Sequence, residues 1–128
     1  MSFRPTVNGP NTPMGQLTVV AAGTSIPLDD NWDPKFDASA DGNETGYAYS
    51  ASDIVFSFPS TNAGGIYVVR RGASKSDADA IVAYFPKQAG IPQEPQKLST
   101  FYQGKIAPHL LAIDADQDGD FVWAVGIN

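Results

Sequence analysis

The sequence predicts an all-β fold, an antiparallel β-sandwich of jelly-roll-like form with an extended N-terminal arm. Three observations predict it. Short apolar runs with period-two alternation recur at spacings of about ten residues. The gaps between them are punctuated by turn formers, with 12 Gly and 10 Pro in 128 residues. No stretch carries a helical apolar period of useful length. The one helix candidate, Lys75–Ala80 with Ser74 or Ser76 as cap, is too short to hold on its own. Many short strands with such punctuation pack as two sheets over one core.

Residues 1–16 carry three prolines, two glycines, two asparagines and no periodicity. They read as an extended arm, either mobile or ordered on a neighbour, and the domain proper as residues 17–128. Residues 17–28, LTVVAAGTSIPL, read as a strand, a glycine bend and a short strand with Pro27 at an edge or end. Residues 29–46 form a turn-rich loop whose Trp32 and Phe36 are expected to fold back onto the body.

Residues 52–72, SDIVFSFPSTNAGGIYVVRRG, hold the clearest pattern. Ile54, Phe56 and Phe58 share one face of a strand, and Ile66 and Val68 share one face of the next. Pro59, Asn62, Gly64 and Gly65 supply the turn between them. Ile81–Phe85 is a further strand ending at Pro86. Residues 86–97 contain three prolines and no strand pattern, which marks a long loop. A short strand around Phe101–Ile106 follows, then a last pair, Leu110–Ile113 and Phe121–Val125, joined by the acidic turn Asp114–Asp120. The alternation places Val19, Ile54, Phe56, Ile66, Val68, Ile81, Ala83, Leu111, Ile113, Val125 and either Val122 or Trp123 in the core.

Composition narrows the function. A net charge of −6 and a pI near 4.4 argue against nucleic acid or an anionic membrane as partner. The longest apolar stretch, Leu17–Ala22, is far too short to span a bilayer, and MSFRPTVNGPNTP lacks the apolar run of a secretory signal. With no cysteine and His109 as the single histidine, zinc sites and Cys/His dyads have no ligands to draw on. His109 itself reads as a surface or interface residue. No G-x-S-x-G elbow and no phosphate-cradling glycine loop occurs, so no enzyme, cofactor or catalytic residue is expected.

One string resembles a metal loop. In DADQDGD, Asp114, Asp116 and Asp118 occupy the first, third and fifth positions of a calcium loop, and Gly119 the sixth. Val125 stands where the bidentate glutamate belongs, so the same residues read equally as an Asp-Gly turn between two strands. A weaker echo at Asp37, Ser39, Asp41 and Gly42 also lacks the closing ligand. Arg70, Arg71 and Lys75 form the one basic cluster, either a solvated strand end or a patch for an acidic neighbour.

Taken in order, these motifs resemble small structural proteins of tailed-bacteriophage virions. Gly23, Thr24, Ile26 and Leu28 match an opening "GT-x-hydrophobic-x-L" step. Ile54–Phe58, Asn62–Gly64 and Ile66–Val68 match an apolar strand, an N-x-G loop and an "IYV" strand. Asp114–Ala115, Gly119–Asp120 and Phe121–Val125 match the close. The usual proline-glycine step before the penultimate strand is replaced by Ala107–Pro108. The resemblance covers about residues 17–128 and implies a virion component assembled in the host cytoplasm. Its most concrete form is a capsid decoration (cement) protein that binds the major capsid protein or other virion subunits as a homo-oligomer, such as a trimer. A fibre, collar or tail subunit is the neighbouring possibility. A carbohydrate- or receptor-binding module, with Trp32, Tyr47, Tyr49 or Tyr102 stacking on sugars, is the alternative. For docking, the expected contact elements are the arm, through Arg4, Pro5, Val7, Pro10 and Pro13, and the proline-rich loop, through Ile91, Pro92 and Pro95.

Overall fold

Alternation along the chain resolves into two four-stranded antiparallel sheets, ordered β1-β10-β5-β8 and β2-β9-β6-β7. The computed structural model describes residues 11–32, 35–38, 44–45, 49–87 and 93–128. Its strands are β1 (Asn11–Thr18), β2 (Ile26–Pro27), β3 (Asp37–Ala38), β4 (Glu44–Thr45), β5 (Asp53–Ser57), β6 (Ile66–Arg70), β7 (Ile81–Phe85), β8 (Gln96–Lys97), β9 (Leu111–Ala115) and β10 (Phe121–Ile127). β3 and β4 pair only with each other. Single 3-10 turns at Ala78–Ala80, Leu98–Thr100 and Pro108–Leu110 are the helical content of the described residues.

The pairings nest. β1 pairs with β10, β2 with β9, β5 with β8, and β6 with β7. The β10–β5 and β9–β6 seams then close each sheet. This is the pattern of one long hairpin folded over on itself, with apolar faces inward. The two sheets share one core, where Phe85 of β7 meets Phe56 of β5 at 5.6 Å between ring centroids and Phe58 at 5.4 Å.

Nesting corrects two sequence expectations. β5 and β6 do not form a hairpin, because residues 58–65 carry the chain from one sheet to the other; residues 116–120 do the same between β9 and β10. A turn signal marks a change of direction but does not say which sheet the next strand joins.

The arm boundary also moves. Residues 11–16, expected in the arm, belong to β1, with Thr12 and Met14 buried against β10. Pro13 is tolerated because β1 is an edge strand, and a bulge next to Gly15, whose φ is 78°, breaks the alternation that would have announced the strand. Opposite, Gly126 leaves room for Met14, since a Cβ there would lie 3.3 Å from the Met14 methyl.

Of the expected core, Val19, Ile54, Phe56, Ile66, Val68, Ala83, Ile113 and Val122 are buried. The last strand settles its register on Val122 and Ala124, which turns Trp123 and Val125 to the outer face. Ile81 and Leu111 are only half-buried, because they line an open cleft at the ends of β7 and β9. Trp32 and Phe36 pack onto the body as expected.

Candidate functional site

The acidic string is a structural clamp. Asp114, fully buried on β9, accepts the backbone N–H of Gly23 at 2.8 Å and of Lys75 at 2.9 Å. Asp116 accepts the hydroxyls of Tyr67 at 2.9 Å and Tyr84 at 2.7 Å. Asp118 accepts the Ala22 N–H, and Asp120 accepts those of Ala63 and Gly64. A calcium loop needs its carboxylates to converge on one point. Here each is taken up by protein donors, Asp114 and Asp118 by the adjacent Gly23 and Ala22 N–H groups and Asp116 by Tyr67 and Tyr84, and no group of three or more His, Asp or Glu among the described residues is placed to hold a metal.

What these carboxylates join are the crossovers between sheets. Residues 19–25, 58–65 and 116–120 each pass from one sheet to the other at the same end of the molecule. Asn62 reinforces the join, donating to the Phe121 carbonyl at 2.8 Å and accepting the Phe121 N–H at 3.0 Å. Gly64 and Gly65 allow the close approach: a Cβ on Gly64 would lie 3.0 Å from the Asp116 Cβ, and one on Gly65 would overlap the Tyr84 ring. Burial alone would raise the Asp116 carboxyl, but bonds from Tyr84, Tyr67 and the Gly65 N–H outweigh it and hold it below the usual range. The same bond from the other side pushes the Tyr84 phenol up to about 12.

A second polar cluster was not legible in the sequence. Fully buried Asp29 accepts Arg71 Nη1 at 2.8 Å and the Phe36 N–H at 2.8 Å. Arg71 also donates to the carbonyls of His109 and Phe36. His109, expected at a surface or interface, is half-buried: its ring meets Phe36 edge-on at 4.6 Å, and Nδ1 lies 3.1 Å from the Tyr49 nitrogen. The basic cluster divides, with Arg71 locked in this network, Lys75 reaching the Asp116 carbonyl at 3.5 Å, and Arg70 exposed.

The outer face of the β1-β10-β5-β8 sheet is the third feature. Residues opposite one another in register share a face, giving the rows Gln16–Trp123–Ser57 and Pro13–Val125–Val55–Lys97. With Phe121 and Ile127 these rows form an apolar patch centred on Trp123, which is 42% exposed. Pro13 thus lies on this face, while exposed Pro95 stands beside β8 at the far edge of the same sheet, so the two do not meet. The other expected contacts, Arg4, Pro5, Val7, Pro10, Ile91 and Pro92, lie outside the described residues.

Of the residues proposed to stack on sugars, Trp32 is buried, donating Nε1–H to the Pro13 carbonyl, and Tyr49 is buried against it at 4.6 Å. Both are excluded from a surface platform. Tyr102 is exposed, and Tyr47 lies outside the described residues. No protein-family model, curated protein or solved structure matches the chain. No helix among the described residues is long and apolar enough to cross a membrane.

Proposed function

We propose that this protein is a non-enzymatic virion structural protein, a capsid decoration subunit that docks on the assembled head through the outer face of the β1-β10-β5-β8 sheet. The carrying observation is the Phe121–Trp123–Val125 row. A sheet that buries one face normally turns a polar face to water, yet along β10 the outward positions Phe121, Trp123, Val125 and Ile127 are all apolar in a protein of net charge −6. Contiguous exposed apolar surface marks contact sites.

Two further features support the reading. The nested strand order would suit a jelly roll, an architecture common among viral capsid and lectin domains, although architecture alone does not choose a function. The carboxylates of the acidic string are committed to holding crossovers, and Asp29 to holding Arg71, as befits a rigid building block. Docking in several copies, as a trimer or another homo-oligomer on major capsid protein, multiplies weak contacts through avidity. The sugar-binding alternative is less well supported here. A stacking platform needs coplanar rings, and the Phe121 and Trp123 rings stand at 86° to each other.

Particles lacking the protein, incubated with purified wild type or Trp123→Glu, test the proposal. Wild type should load, and the variant should lose about tenfold or more in affinity, as expected for a central aromatic anchor. Equal loading of both, or binding to a glycan array without binding to particles, would overturn it.

A further inference from the structure

Where Ile81 and Leu111 are half-buried, the ends of β6, β7 and β9 and the 98–107 segment border an open cleft of about 1160 Å³. Its floor is apolar, built from Ile81, Leu98, Ile106 and Leu111, and its rim carries Leu110 and Tyr102, which are 49% and 44% exposed. In β6 the continuous register with β9 places Ile66, Val68 and Arg70 on the inward side, with Arg70 directly opposite Leu111. A charged residue thus occupies an inward position at the mouth, where its predecessors on that face are core.

The charges at this mouth lack partners. Lys35, Arg71, Lys75 and Lys87 each bond to the protein, and Lys97 acts on Asp53. Among the described residues, Arg70, Lys97 and Lys105 are the cations with no hydrogen bond or ion pair, and of these Arg70 and Lys105 line the cleft. Asp79, which also lines it, has none either. An apolar floor beneath two free cations suits an apolar group carried next to an anionic one. The free carboxylate in the same cleft suits a ligand that also presents N–H donors, which a peptide does and a simple anionic amphiphile does not.

We infer that this cleft binds a short segment of a partner protein that carries an apolar side chain beside an acidic one, the apolar group packing on Ile81 and Leu111 and the carboxylate meeting Arg70 and Lys105. The site is separate from the Trp123 row, because its strand residues come from β6, β7 and β9 while Trp123 stands on β10 of the other sheet. It therefore stands whether or not the partner is a virion.

The full chain is to be screened against a displayed library of random short linear peptides, and the enriched peptides titrated by calorimetry. Enrichment should favour Asp or Glu next to Leu, Ile, Val or Phe. The double variant Arg70→Glu, Lys105→Glu should weaken binding by about tenfold or more, and peptides with Lys in place of the acidic residue should recover affinity for that variant. Leu110→Arg should weaken binding independently, and Trp123→Ala should leave it unchanged. All of these positions are exposed, and amide spectra of each variant verify the fold. No enrichment, or enriched peptides that bind the double variant as tightly as wild type, overturns the inference. So does binding of dodecanoate without any peptide, or self-association abolished by the double variant in the absence of peptide binding.

Discussion

Asp29 has no exposed surface, yet its two oxygens answer Arg71 and the Phe36 N–H, so the ion pair ties Asp29 and Phe36 to Arg71, just beyond β6, and through it to the His109 carbonyl. Removing one partner strands the other. Asp29→Ala should cost about 3 kcal/mol, at the lower end for a buried pair because the Arg71 side chain is 26% exposed; denaturant unfolding measures it, and a loss under 1 kcal/mol, about the size of a surface pair, would refute it. Asp116 and Tyr84 make opposite pH predictions. Asp116 has a lowered folded-state pKa, so its contribution is present above the ordinary carboxylate range and disappears as pH falls through its folded value. Tyr84 has a raised one, so its contribution holds below about 10 and is lost as pH rises through about 12. Asp116→Asn should flatten the acid limb of the stability curve, and Tyr84→Phe the alkaline limb.

Among elements, the crossovers rather than the strands carry the distinctive chemistry. Asp120 accepts two backbone N–H groups of the 58–65 crossover, and Asp120→Ala leaves both without an acceptor. The expected cost is about 2–4 kcal/mol. Because Asp114, Asp116 and Asp118 are already engaged by backbone N–H groups and tyrosine hydroxyls, calcium titration should give no micromolar heat, and chelators should leave the melting temperature unchanged. Micromolar binding abolished by Asp116→Ala would show that the string rearranges into a metal loop. Strand packing follows simpler rules: Phe56, fully buried against Phe85, should cost about 3–5 kcal/mol when cut to Ala. That strand was legible because both of its neighbours in the sheet preserve period-two burial. β1 was not, because Pro13 and the bulge before Gly15 mask the alternation of Thr12 and Met14.

For the whole molecule, the new strand boundary changes which truncation tests the docking arm. Deleting residues 1–10 leaves β1 whole and should preserve the melting temperature while lowering occupancy on particles. Deleting residues 1–14 also removes buried Thr12 and Met14, and loss of the Met14 side chain alone should cost about 2–5 kcal/mol. Equal melting temperatures for the two truncations would mean that β1 contributes nothing to the sheet. Undiminished occupancy without residues 1–10 would leave the Trp123 face as the docking surface by itself.

The sequence by itself determined that the chain is all-β, where most strands lie, and that Trp32 and Phe36 pack inward. These are local consequences of side-chain period and turn chemistry. Only the tertiary structure decided which sheet each strand joins, that Val125 faces out, and that an apparent calcium loop holds three crossovers together. It also decided that Arg70 and Arg71, adjacent in the chain, have opposite fates. Asp29 and Arg71 are 42 residues apart and Asp114 and Gly23 are 91 apart. A carboxylate's role depends on which donor the fold brings within about 3 Å of it, and no local pattern records that distance.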